Sequence, residues 1–329
     1  MLHSRRPFLI LLLLLLLLLS LSLFVGRYPA PPGLLPGTLL RDELAQRLVL
    51  NLRLPRILTA CLLGAALAAA GTVLQMILRN PLVEPGFLGV SQGAAFGAAL
   101  GILLLRGTPW ATQGLATLCA GLGLLFSYRL ARAMRFGGWI LRLILAGIAV
   151  SAFFSSGVGL LKYMADPLTQ LPDIVFWTLG GLGRTDWKTL LSVLPLAAAG
   201  LVTILLFRWR LNLLSMEEET TFSLGTSPDR ERAILLGAAV AATAAVISVA
   251  GSVAWIGLIV PHIARRLAGA DAQRSLPAAV LLGAIFALLC DDLARTLLPG
   301  EIPLGILTAL LGAVLFLGLM VRPVPERPR

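Results

Sequence analysis

Ten runs of apolar residues follow one another along the chain, and they constrain its fold more than any other feature. A helix needs about 20 apolar residues to cross the hydrocarbon core of a bilayer. Charged residues make up only 13% of the sequence and apolar residues 58%, whereas a soluble domain carries about 25% charged residues. The sequence therefore predicts an all-α polytopic membrane helix bundle of about ten transmembrane helices. The predicted spans are residues 7–25, 57–77, 87–105, 114–131, 140–162, 189–207, 233–251, 254–268, 276–297 and 303–321.

These spans leave little room for anything else. Ten helices of about 20 residues use about 200 of the chain's 329 residues, so we expect a single transmembrane domain over residues 1–329 and no separate soluble enzymatic domain. The first run follows Arg5 and Arg6, as the apolar region of a signal peptide does. It is longer than the 7–15 residues typical of such a region, which favours a retained first helix.

The formal net charge of +11 comes from 25 arginines and two lysines against 16 acidic residues. The arginines occur in short clusters between the apolar runs, which is the pattern of the positive-inside rule rather than of a nucleic-acid-binding surface. Most of them fall on the inner side when the N-terminus is placed inside. We therefore expect a multi-pass protein of the cytoplasmic (inner) membrane, with lipid as a partner, no nucleic acid, and both termini in the cytoplasm.

Two connections are too long to be simple turns. Residues 26–56, on the predicted outer face, begin with a proline-rich stretch and continue as an amphipathic segment over residues 38–52. Residues 208–232, on the inner face, contain the acidic cluster Glu217-Glu218-Glu219. This inner loop is a candidate docking surface for another protein, and a solvated loop is the alternative.

Motifs of enzyme chemistry lack their required partners. Gly89-Val90-Ser91-Gln92-Gly93 matches the G-x-S-x-G pattern of serine hydrolases, but it opens an apolar helix and the only histidines are His3 and His262. Two distant histidines do not indicate a metal site. Neither Lys162 nor Lys188 stands in a phosphate-binding loop. We therefore expect no catalysis, metal or cofactor on this chain, and any ATP hydrolysis must take place on a partner.

Asp291 and Asp292 are carboxylates inside a predicted span, which is a feature of proton-coupled carriers. Arg295 follows Asp291 at the i,i+4 spacing of a helical ion pair. A local ion pair near the outer interface is the simpler interpretation, and a proton-coupled secondary carrier stays open as the alternative.

Five stretches in register carry a family resemblance. They are Leu52-Arg53-Leu54-Pro55-Arg56 with Gly71 and Gln75; Asn80-Pro81-Leu82-Val83-Glu84-Pro85 with Leu88-Gly89-Val90; residues 213–225; Ile256-Gly257-Leu258-Ile259-Val260-Pro261-His262-Ile263-Ala264-Arg265; and Asp292-Leu293-Ala294-Arg295 with Glu301-Ile302-Pro303 and Gly305. Together they resemble the FecCD-type permeases, the membrane subunits of type II ABC importers for iron-siderophore, heme and cobalamin. The resemblance extends in order from Arg53 to Met320.

The resemblance implies partners and their contact surfaces. It implies a second permease copy, two cytoplasmic ATPases that hold ATP and Mg²⁺, and an extracytoplasmic substrate-binding protein. The inner loop matches the family's region of coupling to the ATPase, at Leu213, Leu214, Glu217, Glu218, Glu219, Leu224 and Gly225. On the outer face, Arg53, Arg56 and Arg295 match the arginines that family members offer to glutamates of the binding protein. Interfacial anchoring of the second span is the alternative role for Arg53 and Arg56.

The resemblance also places the fifth predicted span, residues 140–162, along the translocation pathway. Gly147, Ser151, Ser155 and Ser156 would give it a smooth, weakly polar surface, although close helix packing explains the same residues equally well. The expected function is thus a permease subunit of a binding-protein-dependent ABC importer for an iron chelate (a siderophore or heme) or a cobalamin-like chelate. The sequence leaves open which chelate passes, and whether the permease is a homodimer or pairs with a paralogue. A membrane scaffold without transport is a further alternative.

Overall fold

The computed structural model describes residues 6–28, 33, 36–216 and 228–321. Within these ranges the fold is helical, and strand-like pairing is limited to an isolated bridge between Val25 and Gly33. The α-helices are α1 (Arg6–Phe24), α2 (Pro36–Arg41), α3 (Glu43–Leu48), α4 (Leu54–Ile77), α5 (Val90–Leu104), α6 (Pro109–Ala133), α7 (Trp139–Met164), α8 (Gln170–Leu179), α9 (Trp187–Leu206), α10 (Arg208–Leu214), α11 (Pro228–Ala250), α12 (Ile256–Ala268), α13 (Ala272–Thr296) and α14 (Leu304–Val321). Short π and 3₁₀ helices cover Val49–Arg53 and Pro85–Leu88.

Each of the ten predicted spans coincides with one helix. Eight of these helices are long and apolar enough to cross a membrane, and the other two, α5 and α12, have 15 and 13 residues. This confirms the predicted all-α polytopic bundle. The structure adds α8, a ten-residue helix between the fifth and sixth spans, which is too short to produce a span-like hydropathy signal.

Helix α4 lies at the centre of the bundle and packs against α9, α11, α12 and α13. Small residues permit this, because a Cβ on Gly64 would overlap the Gly283 carbonyl oxygen of α13. A Cβ on Gly71 would likewise overlap the Gly257 carbonyl oxygen of α12. Apolar side chains gain little over lipid when they associate inside a membrane, so close backbone approach supplies much of the packing energy.

The glycine series of α5 makes a second tight contact, with α6. Gly93 and Gly97 face the Cys119 and Leu115 carbonyl oxygens, and Gly101 faces Thr112. The four-residue spacing places these glycines on one face of α5, where they permit close packing against α6.

The eighth predicted span is interrupted just before α12 begins. Pro261 lies inside α12, whereas residues 251–255 are non-helical and Trp255 has a φ of 74°. Tertiary contacts fix this interruption. The exposed N-terminal N–H groups of a helix need acceptors, and Glu84 Oε2 accepts from the Trp255 N–H at 3.0 Å.

The predicted amphipathic segment of the long outer connection falls on α2, α3 and the π-helix, which continues directly into α4. Asp42 caps α3 by accepting a hydrogen bond from the Leu44 N–H at 2.9 Å. The Tyr28 hydroxyl donates to Asp42 at 2.6 Å, and this bond is the main cause of the lowered pKa of Asp42. Residues 36–53 of the outer connection are therefore helical for the most part and continue directly into α4.

Candidate functional site

The three arginines for which the family resemblance predicts a docking role lie together at one end of the bundle. We call this end the outer end. Arg53 closes the π-helix, Arg56 lies in the first turn of α4, and Arg295 lies in the last turn of α13. They line a common cavity of about 390 Å³ together with Glu301. The helix ends thus assemble a cluster from residues more than 200 positions apart.

Arg56 is held by two carboxylates from opposite sides. Its Nε lies 3.0 Å from Asp291 Oδ1 and its Nη2 lies 2.9 Å from the same oxygen. Its Nη1 donates to Glu301 Oε1 at 2.8 Å. The Asp291 side chain is 0% exposed and that of Arg56 is 11% exposed, whereas that of Glu301 is 50% exposed. Arg56 therefore joins a buried ion pair to a carboxylate at the surface.

Arg295 is bound by a different set of partners. Its Nη2 donates to the Ser22 carbonyl oxygen at 2.8 Å and to Ser22 Oγ at 2.6 Å, and it also pairs with Asp292. Its Nε lies 3.8 Å from Asp291 Oδ2. The predicted i,i+4 ion pair of Asp291 with Arg295 is thus present, but it is the longer of the contacts that Asp291 makes. Asp291 is turned toward α4, where Arg56 forms the closer contacts.

Arg53 binds the end of α1. Its Nη1 donates to the Leu23 and Phe24 carbonyl oxygens at 2.9 and 3.3 Å, and its Nη2 donates to the Tyr28 carbonyl oxygen at 3.3 Å. The last carbonyl groups of a helix lack partners within the helix and carry partial negative charge. Arg53 is therefore a cap that fixes the outer end of α1 to α4, in addition to lining the cavity.

At the opposite, inner end, α10 is fixed to the start of α13. Asn212 Nδ2 donates to Asp271 Oδ1 at 2.7 Å, and Asn212 Oδ1 accepts from the Ala272 N–H at 2.8 Å. The bond from Asn212, followed by that from the Gln273 N–H, lowers the pKa of Asp271. Leu214 is fully buried. Of the predicted coupling residues, Leu213 and Leu214 thus lie in α10, while Glu217, Glu218, Glu219, Leu224 and Gly225 lie outside the described residues.

Helix α7 presents part of the predicted pathway at its surface. Ser155 and Ser156 are exposed and Ser151 is half-buried. Gly147 is buried, and a Cβ there would lie 2.7 Å from the Phe87 carbonyl oxygen. Gly147 therefore serves close packing against the 3₁₀ helix, which is the alternative explanation that the sequence leaves open.

His262 makes local contacts within α12. Its Nδ1 lies 3.4 Å from the Leu258 carbonyl oxygen and 3.3 Å from Arg265 Nη2. Arg265 also donates to Gln75 Oε1 at 2.6 Å, and so links α12 to α4. Among the residues that the structure describes, no three His, Cys, Asp or Glu side chains are grouped as metal ligands would be.

The sequence analysis did not predict the contacts of three residues in these clusters. Ser22 is a polar residue in a run of leucines, which could have indicated a buried contact. Glu301 belongs to a quoted motif but had no assigned role. Asn212 gave no signal, because its partner Asp271 lies 59 residues further along the chain.

The comparisons with known proteins agree with this arrangement. The model of the FecCD transport family matches residues 12–322. The probable iron chelatin transport system permease protein of Helicobacter pylori is 38% identical, over 84% of this chain and 82% of its own length. The molybdate import system permease protein MolB of Haemophilus influenzae is 40% identical, over 84% and 81%.

A solved structure extends the similarity to three dimensions. It shows an inward-facing conformation of a metal-chelate type ABC transporter, and it superimposes with a TM-score of 0.86 at 37% identity, over 96% of this chain and 98% of the other. Motifs, helix order and backbone geometry therefore agree over nearly the whole length: the chain belongs to the FecCD transport family of ABC transporter permease subunits.

Proposed function

We propose that this chain is the permease subunit of a binding-protein-dependent importer for a metal chelate, powered by ATP hydrolysis on a separate subunit. The observation that carries the proposal is the continuous family match over residues 12–322, with similarity to an iron chelatin permease. The arginine cluster at one end and the anchored helix α10 at the other supply a contact surface for each soluble partner.

The proposed cargo is an iron chelate, either a siderophore complex or heme, with a cobalamin-like chelate as a further member of the class. The similarity to the iron chelatin permease supports iron. The comparable similarity to MolB favours molybdate, an oxyanion, as a second candidate.

The proposed outer partner is a substrate-binding protein that offers carboxylates to Arg53, Arg56 and Arg295. Their common cavity supports this role, since all three arginines line it. Charge pairs at the rim of an interface accelerate encounter and fix register more than they add affinity. On docking, each arginine must then either bind an incoming carboxylate in addition to its internal partner or exchange the internal partner for it.

The proposed inner partners are two ATPase subunits that bind the loop containing Leu213, Leu214, Glu217, Glu218, Glu219, Leu224 and Gly225. Coupling requires that the loop interact differently with ATP-bound and empty ATPases. Asn212 and Asp271 would transmit a displacement of α10 to α13, whose other end carries Asp291 and Arg295. A second permease copy, identical or paralogous, completes the pathway, which then runs between the α7 helices of the two copies. The complex lies in the inner membrane, and both termini of this chain are cytoplasmic.

A proton-coupled carrier would need Asp291 or Asp292 to bind and release protons during transport. Asp291 is fully buried against Arg56, and Asp292 pairs with Arg295. Removing one partner of a buried ion pair leaves an uncompensated charge, so a structural ion-pair role accounts for both carboxylates. The importer is therefore the better-supported function.

The decisive experiment is purification of the tagged chain from its native membrane in mild detergent, with native mass spectrometry of the complex. Two permeases with two ATPases support the proposal, whereas a lone chain that keeps uptake activity contradicts it. Proteoliposomes containing the complex and its binding protein are then supplied with ATP and with ⁵⁵Fe-siderophore, hemin, cobalamin or ⁹⁹Mo-molybdate. ATP-dependent uptake identifies the cargo.

The coupling role has its own prediction. Asp271→Ala removes both an N-terminal cap and the contact with Asn212, while Asp186→Ala removes a comparable cap from α9 at the outer end. Each loses about 0.5–2 kcal/mol of helix stability, but only Asp271→Ala should lower uptake per ATP hydrolysed. An equal loss of coupling in both variants would contradict the role of the Asn212–Asp271 contact.

A further inference from the structure

Glu301 occupies a position that a docking role for the arginines leaves unexplained. It lies in the connection between α13 and α14, and its carboxylate contacts Arg56 at the surface of the cavity that all three arginines line. A cavity that receives carboxylates from another protein thus already contains one carboxylate of its own.

The hydrogen bonds of Arg56 show which of its atoms Glu301 covers. Asp291, which is fully buried, binds Nε and Nη2. Glu301 binds Nη1 at 2.8 Å. Nη1 is therefore the nitrogen that an external carboxylate can bind without competing with the buried pair. The half-exposed Glu301 side chain occupies this nitrogen and would have to leave it first.

A glycine beside the Glu301 carboxylate leaves room for this group next to Arg56. Gly183 lies in the connection between α8 and α9, and a Cβ on it would lie 2.8 Å from Glu301 Oε2. Any larger residue at position 183 would push the carboxylate away, because the free end of a glutamate side chain moves easily.

We propose that Glu301 is an intramolecular substitute for the docking partner: it occupies Nη1 of Arg56 while the outer end is free, and an acidic side chain of the binding protein displaces it on docking. The inference rests on the proposed function, because it requires an external binding protein. The Glu301 carboxylate is half-exposed and can be rehydrated when it leaves Arg56, so the exchange costs less than breaking the buried pair of Arg56 with Asp291. Together with Asp291 and Asp292, Glu301 supplies three carboxylates to balance Arg53, Arg56 and Arg295 when no partner is bound.

The test measures the affinity of the intact transporter in lipid nanodiscs for the binding protein recovered with it. Glu301→Gln should tighten binding about two- to fivefold, the size expected for a partly exposed ion pair. Gly183→Ala should act in the same direction but less strongly, because it displaces the carboxylate and keeps its charge.

Glu43→Gln is the matched control. Glu43 lies on α3 at the same end, is 77% exposed, and pairs with Arg47 rather than with the cluster, so it reports the effect of net charge alone. That general effect should disappear in about 0.5 M salt, where charges are screened within a few ångströms, whereas the excess effect of Glu301→Gln should persist.

Weaker binding by Glu301→Gln would show that Glu301 itself contacts the partner and would overturn the proposal. Binding equal to that of Glu43→Gln in every condition would overturn it as well. Either result, with tight binding by the wild type, rejects the role of Glu301 and leaves the proposed function intact. A wild-type transporter that binds no such protein rejects both.

Discussion

The charged side chains of the outer end differ sharply in what they contribute, although the sequence presents them as similar arginines and acids. Arg56 and Asp291 form a buried pair with two guanidinium nitrogens on one carboxylate. Arg47 and Glu43 form a helical i,i+4 pair with side chains 70% and 77% exposed. Breaking a buried pair costs about 3–5 kcal/mol because one charge is left uncompensated, whereas an exposed pair contributes about 0–1 kcal/mol.

We therefore expect Arg56→Ala to reduce the stability of the detergent-solubilised protein by about 3–5 kcal/mol, and Arg47→Ala by at most about 1 kcal/mol. Thermal unfolding of both variants measures the difference. The double variant Arg56→Met with Asp291→Leu should recover much of the loss, because a buried ion pair can be replaced by apolar residues of similar volume. Equal stability of Arg56→Ala and Arg47→Ala would contradict the importance of the buried pair.

The partners of these side chains could not be predicted from the sequence. Arg53 binds carbonyl groups about 30 residues earlier, and Arg56 binds a carboxylate 235 residues later. Sequence spacing predicts contacts within one helix, such as that of Asp291 with Arg295, and it therefore overlooked the closer contact from another helix.

At the scale of helices, hydropathy predicted the spans because bilayer crossing is a property of each segment alone. Helix α8 was missed because its ten residues are too few for a span-like hydropathy signal, and the break at residues 251–255 was missed because it depends on neighbouring elements. A Cβ on Gly251 would overlap the Trp177 carbonyl oxygen of α8, and the break is held by Glu84. The small residues of α4 permit close packing through their size alone.

The contact of α4 with α13 gives a prediction at this scale. Gly64→Ala should destabilise the bundle by about 1–3 kcal/mol or more, because the added methyl group overlaps backbone of α13 that cannot move away. Gly121→Ala in α6 is the matched control, since no other atom lies within 4 Å of its added Cβ. The measurement is the fraction of each variant recovered as folded protein after size-exclusion chromatography. Equal recovery would show that α4 and α13 can separate without cost.

Across the whole molecule, burial is distributed unevenly among the helices. The apolar window of α4 is 83% buried, whereas that of α7 is 33% buried. The exposed side of α7 carries Ser155, Ser156 and Gly159 as well as the aromatic residues Phe153 and Tyr163. Lipid favours a uniformly apolar surface, so hydroxyl groups and a glycine in this position favour a water-filled pathway or a second permease copy.

Thiol labelling distinguishes these environments in the assembled transporter. In a background with Cys61, Cys119 and Cys290 replaced by alanine, Ser155→Cys should react with a membrane-impermeant methanethiosulfonate, and its rate should change when a non-hydrolysable ATP analogue holds the ATPases closed. Val158→Cys, three residues further along α7 and buried, should stay unreactive in both states. This contrast follows from alternating access, since a pathway residue must meet water from one side in one state and lose that contact in the other. An unreactive Ser155→Cys in both states would place this side of α7 against lipid or protein, and the pathway would then have to run along another helix.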